Sequence, residues 1–274
     1  MPHAPNTFDI ELNLLLEGVF QKYQHDFRHY ARSSLRRRIR QALERFDCPT
    51  VSRLQERVLH EPEVFAQMLQ YFTVQVSEMF RDPAYFLALR RQVLPVLSTY
   101  PSIRIWIAGC STGEEVWSLA IMLAEEGLLE RTILYATDIN PEALKAAEAG
   151  IYGIERVAAF SQAYLEAGGT RSLADYYTAG EHGVLFDRAL RRNAVFADHS
   201  LATDSVFSEV HLVSCRNVLI YFDRELQERA LGLFHEALIH RGFLGLGNRE
   251  TLRFSSHAGQ FAEFCAAERI YQRL

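Results

Sequence analysis

The chain has 274 residues, 49% of them apolar and 23% charged, with a net charge of −5; this balance excludes a chain disordered throughout. At about 150 residues per domain it allows one or two domains. The four cysteines, Cys48, Cys110, Cys215 and Cys265, share no C-x-x-C and no regular spacing, which excludes a disulfide scaffold or a zinc ribbon and fits reduced thiols in a cytosol.

No apolar run approaches the roughly 18–20 residues that a membrane span requires. The opening MPHAPNTFDIELNLLL lacks a basic n-region and a small-residue cleavage site, so no signal peptide is expected and the protein is placed in the cytoplasm, without membrane insertion. The charge is uneven: positions 28–45 hold seven arginines (28, 32, 36, 37, 38, 40, 45) against Glu44 alone.

Residues 1–72 predict an all-helical domain. Phe8, Leu12, Leu15, Leu16, Val19, Phe20 and Tyr23 advance in steps of three and four, the spacing of an amphipathic helix. Ile10 and Leu14 fall off that stripe. A second helix fits Arg32–Phe46, with Leu35, Ile39, Leu43 and Phe46 on one face, stopped at Asp47-Cys48-Pro49. A third opens at Thr50 or Ser52 and a fourth at Glu61-Pro62-Glu63. Residues 73–98 form a junction: Thr73–Ser77 is β-prone, and Asp82-Pro83 opens a helix running to about Leu97.

From 99 to 274 the pattern changes to strand, helix, strand, helix, the signature of a parallel α/β sheet. IRIWIAG (103–109) and TILYATDI (132–139) are buried strands; TGEEVWSLAIMLAEEG (112–127) and NPEALKAAEAGIY (140–152) are helices. Residues 153–197 break the rhythm. VLFD (184–187) and NAVFAD (193–198) are expected there as a small antiparallel insert. EVHLVSCRN (209–217) is a strand, 223–242 a helix ended by Gly242, and FLGLG (243–247) a strand. FAEFCAAERIYQRL (261–274) completes the sheet.

The chemistry concentrates in IWIAGCSTGEE (105–115), a strand running into a small-residue loop and a helix. Gly109 and Gly113 permit positive φ and close approach of a ligand. Two functional readings compete with a plain tight turn. Gly109-Cys110-Ser111-Thr112-Gly113 matches G-x-S-x-G, with Ser111 as a hydrolase nucleophile and Asp198 and His257 following in the right order. No oxyanion loop precedes it, and two acids directly after it oppose an oxyanion. In the other reading, Asp138 ends the second strand and accepts hydrogen bonds from ribose hydroxyls. Glu114 or Glu115 then suits a ligand bearing cations. Those acids repel a pyrophosphate, so S-adenosylmethionine fits better than a dinucleotide. For the acids themselves, the bland alternative is the ordinary preference of helix N-termini for negative charge.

The segments TVQVSEMFRDPAYF (73–86), IWIAGCSTGEEVWSLAI (105–121), ATDINPEALKAAEAGIY (136–152), VFADHSL (195–201) and SCRNVLIYFDRELQ (214–227), in this order, resemble the CheR family of chemotaxis receptor methyltransferases. Those enzymes esterify glutamates on methyl-accepting chemotaxis proteins. The resemblance implies a Rossmann-like class I methyltransferase domain with a β insert at about 153–197, preceded by the helical bundle. Its cofactor is S-adenosyl-L-methionine, leaving as S-adenosyl-L-homocysteine.

By the same resemblance, Glu114 meets the methionine ammonium and Asp138 the ribose. Ser77 and Arg81 close over the methionine end, and Arg216 and Asn217 lie beside the cofactor, as does Gly109. Arg81 and Tyr221 position the substrate carboxylate. The sequence departs from the family at Gln75 and Ser77, where Asn and Thr are common, and at Ser200-Leu201, where Asn-Leu is common; Ser200 then contacts the adenine side through backbone. Gly247-Asn248-Arg249-Glu250 replaces Gly-His-Ser-Glu, leaving that loop's role open.

The resemblance names chemoreceptor cytoplasmic helices as the partner, docking on the Arg-rich helix at 28–45, whose bland alternative is a solvated face. The short turn TAGEHG implies independence from the receptor's pentapeptide tether. A monomer is expected, without nucleic acid or metal. The alternatives are a methyltransferase for another carboxylate, the Ser111 hydrolase, and a cofactor-binding regulator that transfers nothing.

Overall fold

In the computed structural model, residues 6–73, 77–181 and 183–274 are described. The chain divides into two compact units: Met1–Val74 with Ser200–Asp204 and Ile220–Ala230, and Gln75–His199 with Ser205–Leu219 and Leu231–Leu274.

The first unit holds helices α1 (Thr7–Tyr23), α2 (Arg32–Arg45), α3 (Val51–His60) and α4 (Pro62–Phe72). Asn6 caps α1 through its side chain, which accepts from the Asp9 N–H at 2.9 Å. Thr50 caps α3 in the same way, and Pro62 opens α4, where its missing N–H costs nothing. α1 buries Leu12, Leu15, Leu16 and Val19, while Ile10 and Leu14 are exposed. Phe27 stacks on Phe72 with ring centroids 4.4 Å apart.

One arginine of the basic run is internal. Arg38 is buried, donates from Nη1 to the Phe72 carbonyl at 2.6 Å, and lies 4.8 Å over the Tyr221 ring. Arg28 pairs with Asp26 and Glu17, and Arg36 with Asp9. Arg32, Arg36, Arg37, Arg40 and Arg45 are exposed.

In the second unit the helical run from Pro83 comprises α5 (Pro83–Ala88), a widened π turn at Leu89–Val93, and α6 (Leu94–Leu97). Pro95 supplies no N–H for the regular ladder, and the turn before it widens. Then follow β1 (Ile103–Ala108), α7 (Glu114–Glu125), β2 (Thr132–Asp138), α8 (Pro141–Ala149), β3 (Ile151–Tyr152), α9 (Val157–Glu166), β4 (Tyr177–Gly180), β5 (Gly183–Phe186), β6 (Ala194–Asp198) and β7 (Val210–Cys215). The chain ends with α10 (Arg224–Ala237), β8 (Leu238–Leu246), β9 (Phe261–Cys265) and β10 (Ile270–Arg273).

Seven strands form one sheet in the order β6-β2-β1-β7-β8-β10-β9. Its first four neighbour pairs are parallel, and β10 is antiparallel to both of its neighbours. Trp106 and Trp117 are fully buried and hydrogen bonded through their indole N–H to Thr137 Oγ1 and the Ala147 carbonyl. The order runs outward in both directions from β1, and ligands in such sheets bind at the carboxyl ends of strands flanking that reversal.

Three details differ from the sequence expectation: the place of NAVFAD, the end of α10, and Ile151–Tyr152, read as the end of a helix and found as β3. NAVFAD is no part of the insert: β6 pairs in parallel with β2, Leu134 opposite Ala194 through Asp138 opposite Asp198. The antiparallel insert is β3-β5-β4. α10 ends at Ala237, not at Gly242, because the apolar residues beyond it pair along β7. A register shift there, with Arg241 at φ 62°, absorbs the irregularity. Of the β-prone Thr73–Ser77, positions 74–76 lie outside the described residues.

Candidate functional site

Glycine shapes the loop after β1. Gly109 has φ +73°, and a Cβ there would fall 2.6 Å from Val218 Cγ2. Its N–H and that of Cys110 both donate to the Thr137 carbonyl at 2.8 Å. Gly113 has φ +89°, and a Cβ there would fall 2.6 Å from the Ala147 Cβ, so the loop seats directly on α8. Ser111 has φ 50°, and its N–H donates to Asp138 Oδ2 at 2.9 Å.

Asp138 closes β2 with its carboxylate turned into this loop. Oδ1 accepts from the Asn140 N–H at 3.0 Å. The Ile139 N–H also bonds this carboxylate, and since a carboxylate has about four lone-pair directions, acceptor capacity remains. Burial pushes the Asp138 carboxyl above its ordinary range, and the N–H groups of Ser111 and Asn140 draw it partly back. Burial likewise pushes the Cys110 thiol well up, reinforced by the Asp138 charge, so it is no nucleophile at neutral pH.

The two acids opening α7 diverge, and each is met by an arginine. Glu114 is fully buried; its Oε1 accepts from Arg156 Nη1 at 2.7 Å and its Oε2 from Thr112 Oγ1 at 2.7 Å. Arg156 also donates to the Ser77 carbonyl and lies over the Phe160 ring at 4.7 Å. Glu115 accepts from Ser214 Oγ at 2.5 Å and from Arg216 Nη1 at 3.2 Å. Arg216 Nη2 reaches the Arg81 carbonyl at 2.8 Å and Asp82 Oδ2 at 2.7 Å, with the guanidinium 4.1 Å over the Tyr85 ring.

Two arginines thus clip Ser77, Arg81 and Asp82 to the first turn of α7. Ser118 Oγ accepts the Phe80 N–H at 2.8 Å, and Phe80 and Asp82 hold positive φ within the clipped stretch. An open cleft of about 490 Å³ follows the segment, lined by Ser77, Arg81, Asp82, Arg156, Phe160 and Glu166 among others.

The second unit therefore brings together Ser77, Arg81, Gly109, Glu114, Asp138, Arg216 and Asn217. The Arg216 side chain is 1% exposed and engaged with protein groups. Asn217, at φ 61°, donates its N–H to Glu250 Oε2 at 3.0 Å. Ser200, Leu201 and Tyr221 belong to the first unit. Ser200 starts a turn whose N–H is held by Asp204 Oδ2 at 2.9 Å; Leu201 is buried. Tyr221 sits in a short turn with its carbonyl accepting from the Ala31 N–H at 2.8 Å. Gln75 lies outside the described residues.

Sequence reasoning missed Arg156, Asp82 and Glu250. Glu250 is buried and accepts from the Gly247 N–H at 2.6 Å as well as from Asn217, which ties the loop after β8 to the end of β7. Asn248 adds a contact from Nδ2 to Asp82 Oδ1 at 3.3 Å. A lone carboxylate in the G-N-R-E stretch after an apolar strand was the available signal for Glu250. Nothing in the sequence joined Arg156 to a residue 42 positions earlier.

The hydrolase constellation is not assembled in this way. His257 Nδ1 meets Gln260 Oε1 at 2.9 Å and its ring packs against Gly232, while the Ser111 N–H serves Asp138. Among the described residues no group of three or more His, Cys, Asp or Glu is placed to hold a metal, and no helix is long and apolar enough to cross a membrane.

Comparison with known proteins gives the site a family. Residues 75–268 match the CheR methyltransferase SAM-binding domain, and residues 10–73 match the CheR all-alpha domain. A Pseudomonas putida protein named Cher3 is 59% identical over 273 residues, 100% of each chain. A chemotaxis protein methyltransferase of Listeria monocytogenes is 30% identical over 234 residues, 83% of this chain and 84% of that one. Chemotaxis protein methyltransferase 2 of Pseudomonas aeruginosa is 30% identical over 201 residues, 72% of this chain and 69% of that one. The hydrolase reading is left without support, and the chain belongs to the CheR family of S-adenosylmethionine-dependent methyltransferases.

Proposed function

We propose that this methyltransferase esterifies glutamate side chains on the cytoplasmic helices of chemoreceptors, acting as a monomer in the cytoplasm. The observation that carries the reading is the convergence of two buried acids on the loop after β1: Glu114, which opens α7, for a cationic amino-acid end, and Asp138, at the end of β2 and bonded to the Ser111 N–H, for ribose hydroxyls. Within it, residues 1–72 dock substrate, 73–98 close over the cofactor, and 99–274 hold it. Gly109 and Asn217 are cofactor-side backbone positions, with Ser200 and Leu201 toward the adenine and Gln75 on the junction.

S-adenosylmethionine supplies the methyl group on a sulfonium. A glutamate with an ordinary pKa near 4.3 is already ionised at neutral pH, so no general base is required. Its oxygen is a weak nucleophile, and alignment at about 3–3.5 Å supplies several kcal/mol. Carboxylate and sulfonium charges both vanish in the transition state, so a strong cation on the attacking oxygen would slow transfer. Arg81 holds the other oxygen and orients, with Tyr221 fixing the approach. Arg216, clipped to the Arg81 carbonyl, lies beside the cofactor and sets where Arg81 stands.

Receptor methylation helices are acidic, and the exposed Arg32, Arg37, Arg40 and Arg45 of α2 suit electrostatic encounter. The short link between Gly180 and Gly183, which pair directly, supports independence from a pentapeptide tether. The test is transfer of radiolabelled methyl from S-adenosylmethionine to a purified receptor cytoplasmic fragment. The expected product is an alkali-labile ester, absent when acceptor glutamates are changed to alanine and unaffected by removing the receptor's C-terminal pentapeptide. Alkali-stable label would contradict glutamate esterification. Arg81→Ala is expected to bind S-adenosylhomocysteine measurably and lose most transfer; full transfer would overturn its orienting role.

A further inference from the structure

We propose that Arg156 is the cationic half of the site's amino-acid end, holding the ligand's α-carboxylate while Glu114 holds its ammonium; this rests on the reading that S-adenosylmethionine occupies the loop after β1.

An amino acid carries both charges on one carbon, so a receptor for it needs an acid and a base side by side. Glu114 alone would attract the ammonium and repel the carboxylate. Arg156 Nη1 lies 2.7 Å from Glu114 Oε1, making the pair neutral and dipolar, as the ligand's end is. Of the two arginines at this end of α7, only Arg156 is accessible. Its side chain is 34% exposed and lines the cleft with Ser77 and Arg81, whereas Arg216 is 1% exposed.

A guanidinium has five N–H donors, and the bonds to Glu114 and Ser77 take one from each Nη. The rings of Phe160 and Tyr152 lie 4.7 and 5.7 Å from its Cζ, so the fork is held in place before a ligand arrives, which lowers the ordering cost of binding.

The experiment is calorimetric titration of the full chain, as wild type, Arg156→Gln and Arg156→Lys, with S-adenosylhomocysteine and with its decarboxylated analogue, which keeps the ammonium. Wild type is expected to prefer S-adenosylhomocysteine. Arg156→Gln is expected to weaken that ligand by about tenfold to a hundredfold, as loss of a charge-assisted hydrogen bond does, and to leave the analogue within about threefold, erasing the preference. Arg156→Lys is expected to restore part of it.

Equal weakening of both ligands would reduce Arg156 to a clip between Glu114 and Ser77 and overturn the proposal, as would tighter binding of either ligand. Wild type that folds, melts cooperatively and binds neither ligand would overturn the underlying cofactor reading instead.

Discussion

Asp138 carries the strongest residue-scale prediction. In the proposed site its ionised form is the stronger acceptor for ribose hydroxyls, and burial raises its pKa. Affinity for S-adenosylhomocysteine should therefore fall as pH drops through that raised value, starting at a higher pH than an ordinary aspartate would impose. Asp138→Asn should bind more weakly and flatten the profile. Isothermal titration across pH checks this, and an unchanged wild-type affinity down to the ordinary aspartate range contradicts it. For folding the sign is opposite: the native carboxyl holds its proton more tightly than the unfolded one, so this group's contribution is fully present below the unfolded value and lost as pH rises through the native one.

Gly113 gives a stability prediction at the same scale. Alanine there combines φ +89° with a Cβ 2.6 Å from Ala147 Cβ and 2.7 Å from its Cα. Gly113→Ala should cost at least about 2 kcal/mol, a fall of roughly 4–8 °C in Tm by scanning calorimetry. Both residues were legible in the sequence, because a glycine loop and a strand-end acid are local signals. Glu250 and Arg156 were not, because their partners Asn217 and Glu114 lie far away in the chain and meet them only through tertiary packing.

At the scale of elements, the segment from Ser77 to Asp82 owes its path to bonds from outside itself. Arg216 joins it to Glu115 and is almost fully buried. Removing a buried partner leaves charges behind uncompensated. Arg216→Ala should thus destabilise by on the order of 3 kcal/mol and lower transfer through misplacement of Arg81. A denaturant midpoint equal to wild type would show that the clip contributes nothing.

Helices α1 to α4 followed from periodicity and caps, and β1, α7, β2 and α8 from apolar runs bounded by glycine, asparagine and proline, although Ile151–Tyr152, read as the end of α8, pairs with β5 instead. The end of α10 and the place of β6 did not. ALIHRGFLGL reads equally as helix or strand until β7 offers its edge, and NAVFAD is a strand whose partner, β2, sits more than 50 residues earlier.

For the whole molecule, sheet order accounts for where a ligand crevice lies. The reversal of strand order at β1 leaves the carboxyl ends of β1 and β7 beside a crevice, and the G-C-S-T-G-E-E loop and Asn217 grow from those ends. The parallel α/β class was legible from the alternation of elements, whereas the order β8-β10-β9, with its antiparallel strand, was not, because chain order does not say which edge a late hairpin joins.

Charge also acts at this scale. The exposed arginines of α2 predict that Arg37→Glu with Arg40→Glu raises KM for a receptor fragment several-fold, more at low salt than at high, while affinity for S-adenosylhomocysteine stays unchanged. Equal KM at low salt would remove α2 from docking.

We propose that the loop after β1, with Asp138, is the S-adenosylmethionine site. Its most direct test is calorimetric titration of wild type and Asp138→Ala with S-adenosylhomocysteine. Wild type should bind one-to-one at micromolar affinity, with at least about a tenfold loss in Asp138→Ala at unchanged cooperativity of unfolding; equal affinity of the two folded proteins would remove Asp138 from the site.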